Sequence, residues 1–137
     1  MKRSVQAQYT IQYINNTNKS IFLTGKAGTG KTTLLKEILQ ITHKNTVVVA
    51  PTGIAALNAN GVTIHSMFQL PFATFIPDSK EIISINSTLK IENRTSLARH
   101  FKMNAIKKAV IKNLELLVID EVSMLRADVL DAIDFMM

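Results

Sequence analysis

The sequence predicts an α/β fold, a parallel sheet with helices on both faces. Three observations predict it. Short apolar runs, "SIFLT" (20–24), "TVVVA" (46–50) and "LELLVID" (114–120), alternate with longer segments of helical periodicity. The runs are apolar at nearly every position, as strands covered on both sides must be, rather than alternating as half-solvated antiparallel strands do. A polar motif follows each run: "GKAGTGKT" the first, "PTG" the second and "DE" the third. Open parallel sheets hold their ligands at the carboxyl ends of their strands.

Each element has its own local signal. In "SVQAQYTIQYINN" (4–16), Val5, Tyr9, Tyr13 and Ile14 recur at helical spacing, so a short helix opens the chain within residues 1–19. The run 20–24 ends at glycine and reads as a buried strand. "TTLLKEILQIT" (32–42) gathers Leu34, Leu35, Ile38, Leu39 and Ile41 on one face, an amphipathic helix. The β-branched run 46–50 is a strand stopped by Pro51. "TGIAALNAN" (52–60) reads as a short helix ended near Gly61, and "TIHSMFQL" (63–70) as one or two helical turns. Residues 71–96 contain Pro71, Pro77 and many Ser, Asn and Thr, the composition of a long surface excursion. Residues 96–113 read as one basic helix, 114–120 as the third buried strand, and 126–137 as a helix alternating apolar and acidic residues. No internal repeat and no second domain is visible.

Composition narrows the class. A chain of 137 residues with 47% apolar residues is one domain or part of one, with enough apolar mass for a core. It has no cysteine, which excludes a disulfide-stapled scaffold and fits a reducing compartment. The start "MKRSVQAQYT" has no apolar run behind its basic residues, and "VVVA" and "LLVI" are far too short to span a bilayer. A cytoplasmic, membrane-free protein is expected. The net charge is +6. The segment 90–112 holds Lys90, Arg94, Arg99, Lys102, Lys107, Lys108 and Lys112 against Glu92 alone, an excess equal to that of the whole chain. Such a segment is either a surface for a polyanion such as nucleic acid or a solvated helix face.

The stretch Gly25-Lys26-Ala27-Gly28-Thr29-Gly30-Lys31-Thr32 matches G-x-x-x-x-G-K-[ST] in full, between an expected strand and an expected helix. Glycines let successive backbone N–H groups point into one concavity. The helix that follows adds its unpaired N-terminal amides and its dipole. Lys31 is placed to reach the β- and γ-phosphates of a nucleotide, and the Thr32 hydroxyl to ligate Mg²⁺. Lys26 lies outside the pattern and reads as solvated. The candidate nucleotide contacts are Gly25, Ala27, Gly28, Thr29, Gly30, Lys31, Thr32 and Thr33. In "LLVIDE", Asp120 and Glu121 close the third strand. Asp120 suits Mg²⁺ held through water, and Glu121 suits orienting or deprotonating the attacking water.

Three blocks, "FLTGKAGTGKTT", "VVVAPTGIAALNANGVTIHSMFQLPF" and "LLVIDEVSML", occur in this order and cover most of residues 20–125. Together they resemble the first motor domain of superfamily 1B DNA helicases, the Pif-type family first and the RecD-like helicases next. They correspond to that family's motifs I, Ia with Ib, and II. The resemblance implies a RecA-like P-loop fold, ATP and Mg²⁺ as cofactors, and 5′-to-3′ movement on single-stranded DNA in replication, repair or recombination. It also places Pro51, Thr52, Gly53, Thr63, His65 and Ser66 on the DNA face. Hydroxyls and helix-terminal amides suit phosphate contacts that position a strand without reading its sequence. Phe68 is either a stacking face for a base or a core residue at helical spacing. The family's adenine-contacting glutamine falls among Gln6, Gln8 and Gln12, with Gln8 at the family-like distance from Gly25.

The sequence closes at "DAIDFMM" with the third recognisable core strand behind it. The family's later motifs, a second RecA-like domain and its arginine to the γ-phosphate are not among these residues. The chain therefore reads as the N-terminal part of a helicase, almost inactive by itself. Two rival readings are an ATP-gated nucleic-acid-binding module that never unwinds, and another phosphate-loop ATPase. "APTGIAALNA" and "TIHS" argue against the second.

Overall fold

The computed structural model describes residues 3–78, 90–100 and 102–137. It divides into two compact units, Met1–Thr46 and Val47–Met137.

The first unit is built on two helices, α1 (Val5–Asn16) and α2 (Lys31–Ile41). Ser4 caps α1, its hydroxyl accepting from the Ala7 amide at 3.2 Å. Arg3 donates to Glu37 on α2, Nε to Oε1 at 2.7 Å. Lys44 Nζ, beyond the other end of α2, donates to the Thr17 carbonyl at 2.6 Å. Both ends of α1 are thus tied, one to α2 and the other to Lys44, three residues beyond α2. The strand expected at 20–24 is not formed: residues 3–45 contain no strand, and Phe22 is 74% exposed. An apolar run becomes a strand only through a ladder to a neighbour, and this unit supplies none.

The second unit contains a three-stranded sheet in the order β2–β1–β5, where β1 is Thr46–Ala50, β2 is Val62–Thr63 and β5 is Leu116–Ile119. The β1–β2 ladder is parallel, with Val49 opposite Val62 and Ala50 opposite Thr63. β1 is central, and its Val49 and Ala50 are fully buried. β5 is half-buried along its length rather than buried, because it has β1 on one side only. Between β1 and β2 runs α3 (Gly53–Asn58), which Gly61 brings back against the strand. A Cβ at Gly61 would lie 2.4 Å from the Val48 carbonyl oxygen. The glycine read as a helix stop is there because the backbone passes so close.

The core collects Val49, Ile64, Met67, Phe68, Leu70, Phe75, Leu97, Ala132 and Ile133. Ile64, Met67 and Phe68 come from the short helix α4 (Ile64–Phe68). Residues 79–89 of the expected 71–96 excursion lie outside the described residues. Its described flanks form a second parallel ladder, β3 (Thr74–Phe75) beside β4 (Ile91–Glu92). Phe75 enters the core, and its amide donates to Asp128 Oδ2 at 3.0 Å. Asp128 lies in the first turn of α7 (Ala127–Met136), the helix expected at 126–137. The basic helix expected over 96–113 is two helices, α5 (Arg94–His100) and α6 (Ala105–Lys112). The break has one local cause and one distant one. Asn104 caps α6 through Oδ1 to the Lys107 amide at 2.8 Å, and its own amide donates to Gln69 Oε1 at 3.0 Å.

Candidate functional site

In the first unit the loop 25–32 turns tightly into α2. Thr29 donates from both its amide (3.3 Å) and its hydroxyl (2.8 Å) to the Lys26 carbonyl. Gly28 (φ 76°) and Gly30 (φ 88°) take left-handed backbone that disfavours any side chain. Gly30 is the N-cap of α2 and no side chain caps the helix. The first intrahelical bond is Leu34 N–H to Gly30 O at 2.9 Å, so the amides of Lys31, Thr32 and Thr33 have no intrahelical acceptor. Lys31 arches back over the loop, Nζ donating to the Gly25 carbonyl at 2.7 Å and the Lys26 carbonyl at 2.9 Å. A helix amino end without a capping side chain, two left-handed glycines and one ammonium held at the loop mouth make a concavity suited to an anion. A nucleotide polyphosphate fits this donor set. Gln6, Gln8 and Gln12 are all exposed on α1, and the geometry does not single out one of them.

The other predicted residues lie in the second unit. Asp120 follows β5, and its amide donates to the Val49 carbonyl at 2.9 Å, which seats it beside the carboxyl end of β1. Asp120 Oδ1 accepts from the Glu121 amide at 2.9 Å. Glu121 itself sits at φ 51°, ψ 41°, left-handed and exposed. A non-glycine residue there costs about 1–2 kcal/mol, and such strain clusters at sites where a side chain must be aimed. The Thr32 hydroxyl in the first unit and the Asp120 carboxylate in the second are each oxygen donors of the hard kind that Mg²⁺ takes.

The DNA-facing candidates share that sheet end. Thr52 follows β1 and caps α3, its hydroxyl accepting from the Ala55 amide at 3.2 Å. Thr63 closes β2 and caps α4, accepting from the Ser66 amide at 3.2 Å. Because Ala50 pairs with Thr63, Pro51, Thr52 and Gly53 emerge beside Thr63, His65 and Ser66. Each threonine hydroxyl accepts inside the fold and keeps its own proton to donate outward. Phe68 is fully buried, which decides between its two readings: it is core. Two residues that periodicity did not mark also reach this end. Lys107 donates through Nζ to the Ser66 carbonyl. The Phe72 ring stacks on His65 with centroids 4.8 Å apart and planes 12° apart. The basic segment 90–112 signalled the lysine in charge but not in position.

A family model described as PIF1-like helicase matches residues 2–137. The chain belongs to the PIF1-like helicase family. It is 32% identical over 133 residues to the ATP-dependent DNA helicase PIF1 of Saccharomyces cerevisiae (strain YJM789), an alignment covering 93% of this chain and 14% of that protein. It is similar to the crystal structure of Bacteroides sp. Pif1 in complex with ADP-AlF4, with a TM-score of 0.81, 38% identity, and coverage of 99% of this chain and 27% of that one. It is likewise similar to Bacteroides Pif1 bound to ssDNA, with a TM-score of 0.77 and 40% identity over 99% of this chain and 27% of that one. The chain thus spans about a seventh of the yeast relative's length and just over a quarter of the Bacteroides Pif1 chains. The α/β fold with its parallel sheet is that of the Pif1 RecA-like domain, as the three sequence blocks implied. No helix among the described residues is long and apolar enough to cross a membrane.

Proposed function

We propose that this chain is the ATP-binding N-terminal part of an ATP-dependent 5′-to-3′ DNA helicase that tracks on single-stranded DNA. One observation carries the reading: a complete G-x-x-x-x-G-K-T loop, with left-handed Gly28 and Gly30, opens α2 inside a chain that matches the PIF1-like family throughout. In this reading the amides of Gly25, Ala27, Gly28, Thr29, Gly30, Thr32 and Thr33 hold the phosphates, and Lys31 neutralises the terminal ones. Gln8 contacts adenine. Thr32 and, through water, Asp120 would hold Mg²⁺, which supplies charge neutralisation at the β- and γ-oxygens. Glu121 orients the attacking water and takes its proton. Pro51, Thr52, Gly53, Thr63, His65 and Ser66 hold the strand by its phosphates, which suits movement past any sequence.

The test is a fluorescent ATP-analogue titration with Mg²⁺. Lys31→Ala is expected to lower affinity about tenfold or more, because a hydrogen bond to a charged group is worth ~1.5–3 kcal/mol. Circular dichroism controls for the two loop contacts that Lys31 also makes. A folded Lys31→Ala chain that binds nucleotide as the parent does would refute the assignment.

A further inference from the structure

The loop after α4 carries a ring that the core does not use. Phe72 is 86% exposed, more than any other large apolar side chain among the described residues, while Phe75 three positions on is buried. An aromatic ring left in water forgoes the large burial that such side chains ordinarily supply. Phe72 is nevertheless held in place. One face lies parallel to the His65 imidazole at 4.8 Å, and His65 stands two residues past Thr63 at the end of β2. The opposite face is presented to solvent. The placed neighbours are polar and include one cation. Ser66 is exposed beside His65, and its carbonyl takes the Lys107 ammonium. Lys102, Lys108 and Lys112 are exposed on the same basic segment, and no acid occurs from residue 93 to 114. Glu92, near His65, has its carboxylate engaged by the Ser96 hydroxyl at 2.5 Å.

A flat ring near the Lys107 ammonium and phosphate-suited hydroxyls is what a single strand of nucleic acid requires: charge for the backbone and a π-face for a base. A protein partner would instead need a contiguous apolar surface, and Pro71, Ala73 and Thr74 on either side of Phe72 are already half-buried. We propose that Phe72, backed by His65, is a base-stacking residue of the DNA track, taking one base of single-stranded DNA without regard to its identity. The proposal rests on the DNA-tracking reading above and adds a base contact to a site otherwise made of phosphate contacts.

The experiment titrates the 137-residue chain into oligo-dT carrying one 2-aminopurine, at low salt and over a salt series, for the parent, Phe72→Ala and Phe72→Trp. Phe72→Ala is expected to lose about fivefold or more in affinity, the effect of removing one stacked base, together with the 2-aminopurine quench. Phe72→Trp should keep both. The slope of log affinity against log salt should not change in either variant, because stacking releases no counterions. If the parent binds and Phe72→Ala matches it in affinity and quench, the stacking role is overturned and the DNA-tracking reading stands. If the parent does not bind at low salt, both are overturned. Self-association that Phe72→Ala abolishes while leaving DNA affinity intact would assign the ring to a second copy of the chain and overturn the proposal.

Discussion

Gly61→Ala tests the geometry of the sheet end directly. An alanine Cβ at this position would sit 2.4 Å from the Val48 carbonyl oxygen, 2.9 Å from its carbon and 3.1 Å from its Cβ. Ordinary contact begins near 3.4 Å, so the backbones must part by about 1 Å, the difference between 3.4 and 2.4. β1 cannot yield, because Val49 and Ala50 next to Val48 are fully buried. The displacement therefore falls on residues 60–62 and on the two-residue ladder that follows, Val49 to Val62 and Ala50 to Thr63. Overpacking of this kind costs about 1–3 kcal/mol. For a chain of this size that is roughly 4–12 °C in Tm. Thr63 moves with the ladder, so single-strand affinity should fall too. Gly53→Ala is the matched control. It opens α3, its Cβ would meet nothing within 4 Å, and its φ is not left-handed. Alanine there should raise stability by about 0.4–1 kcal/mol. The pair is read by thermal denaturation followed by circular dichroism. A Gly61→Ala chain melting with the parent, or a Gly53→Ala chain falling as far as Gly61→Ala, would refute the argument.

Three further outcomes follow from a hydrogen bond, an ion pair and backbone strain. Asp128→Ala removes the acceptor of the partly buried Phe75 amide and should cost about 1–3 kcal/mol in urea denaturation. Arg126→Ala should cost less than about 1 kcal/mol, because the Arg126 side chain is 59% exposed and both its ion pair and its bond to Thr74 Oγ1 are screened; equal losses would show that Arg126, not the Phe75 amide bond, holds β3 to α7. Glu121→Gly should stabilise the chain by about 1 kcal/mol by relieving the left-handed backbone, while removing whatever ATP hydrolysis the parent shows in a phosphate-release assay. A stability loss there would mean that the Glu121 side chain is structural.

Local codes were legible in the sequence, and long-range ones were not. The helices α1, α2, α3, α4 and α7 follow from periodicity and from caps such as Ser4, Thr52 and Thr63, each acting within three residues. The G-x-x-x-x-G-K-T loop is equally local: Gly28 and Gly30 are required by their own φ, and Lys31 reaches back to Gly25 and Lys26. β1 and β5 announce themselves as β-branched apolar runs. What the tertiary structure alone decided depends on partners far away in the chain. Val62–Thr63 is β-branched but too short to be read as a strand by itself, and it is one because Val49 and Ala50 lie alongside. Residues 20–24 have the signal and no ladder. The basic segment breaks at Asn104, a local cap whose amide is also held by Gln69, 35 residues earlier. Phe68 and Phe72 are chemically the same in the sequence, four positions apart. Packing into the cluster that also holds Val49 and Leu97 puts one ring in the core, and the other is left stacked on His65 in solvent. Side-chain type and spacing set local backbone preference, but a ladder or a buried face exists only when a second, distant segment supplies the other half.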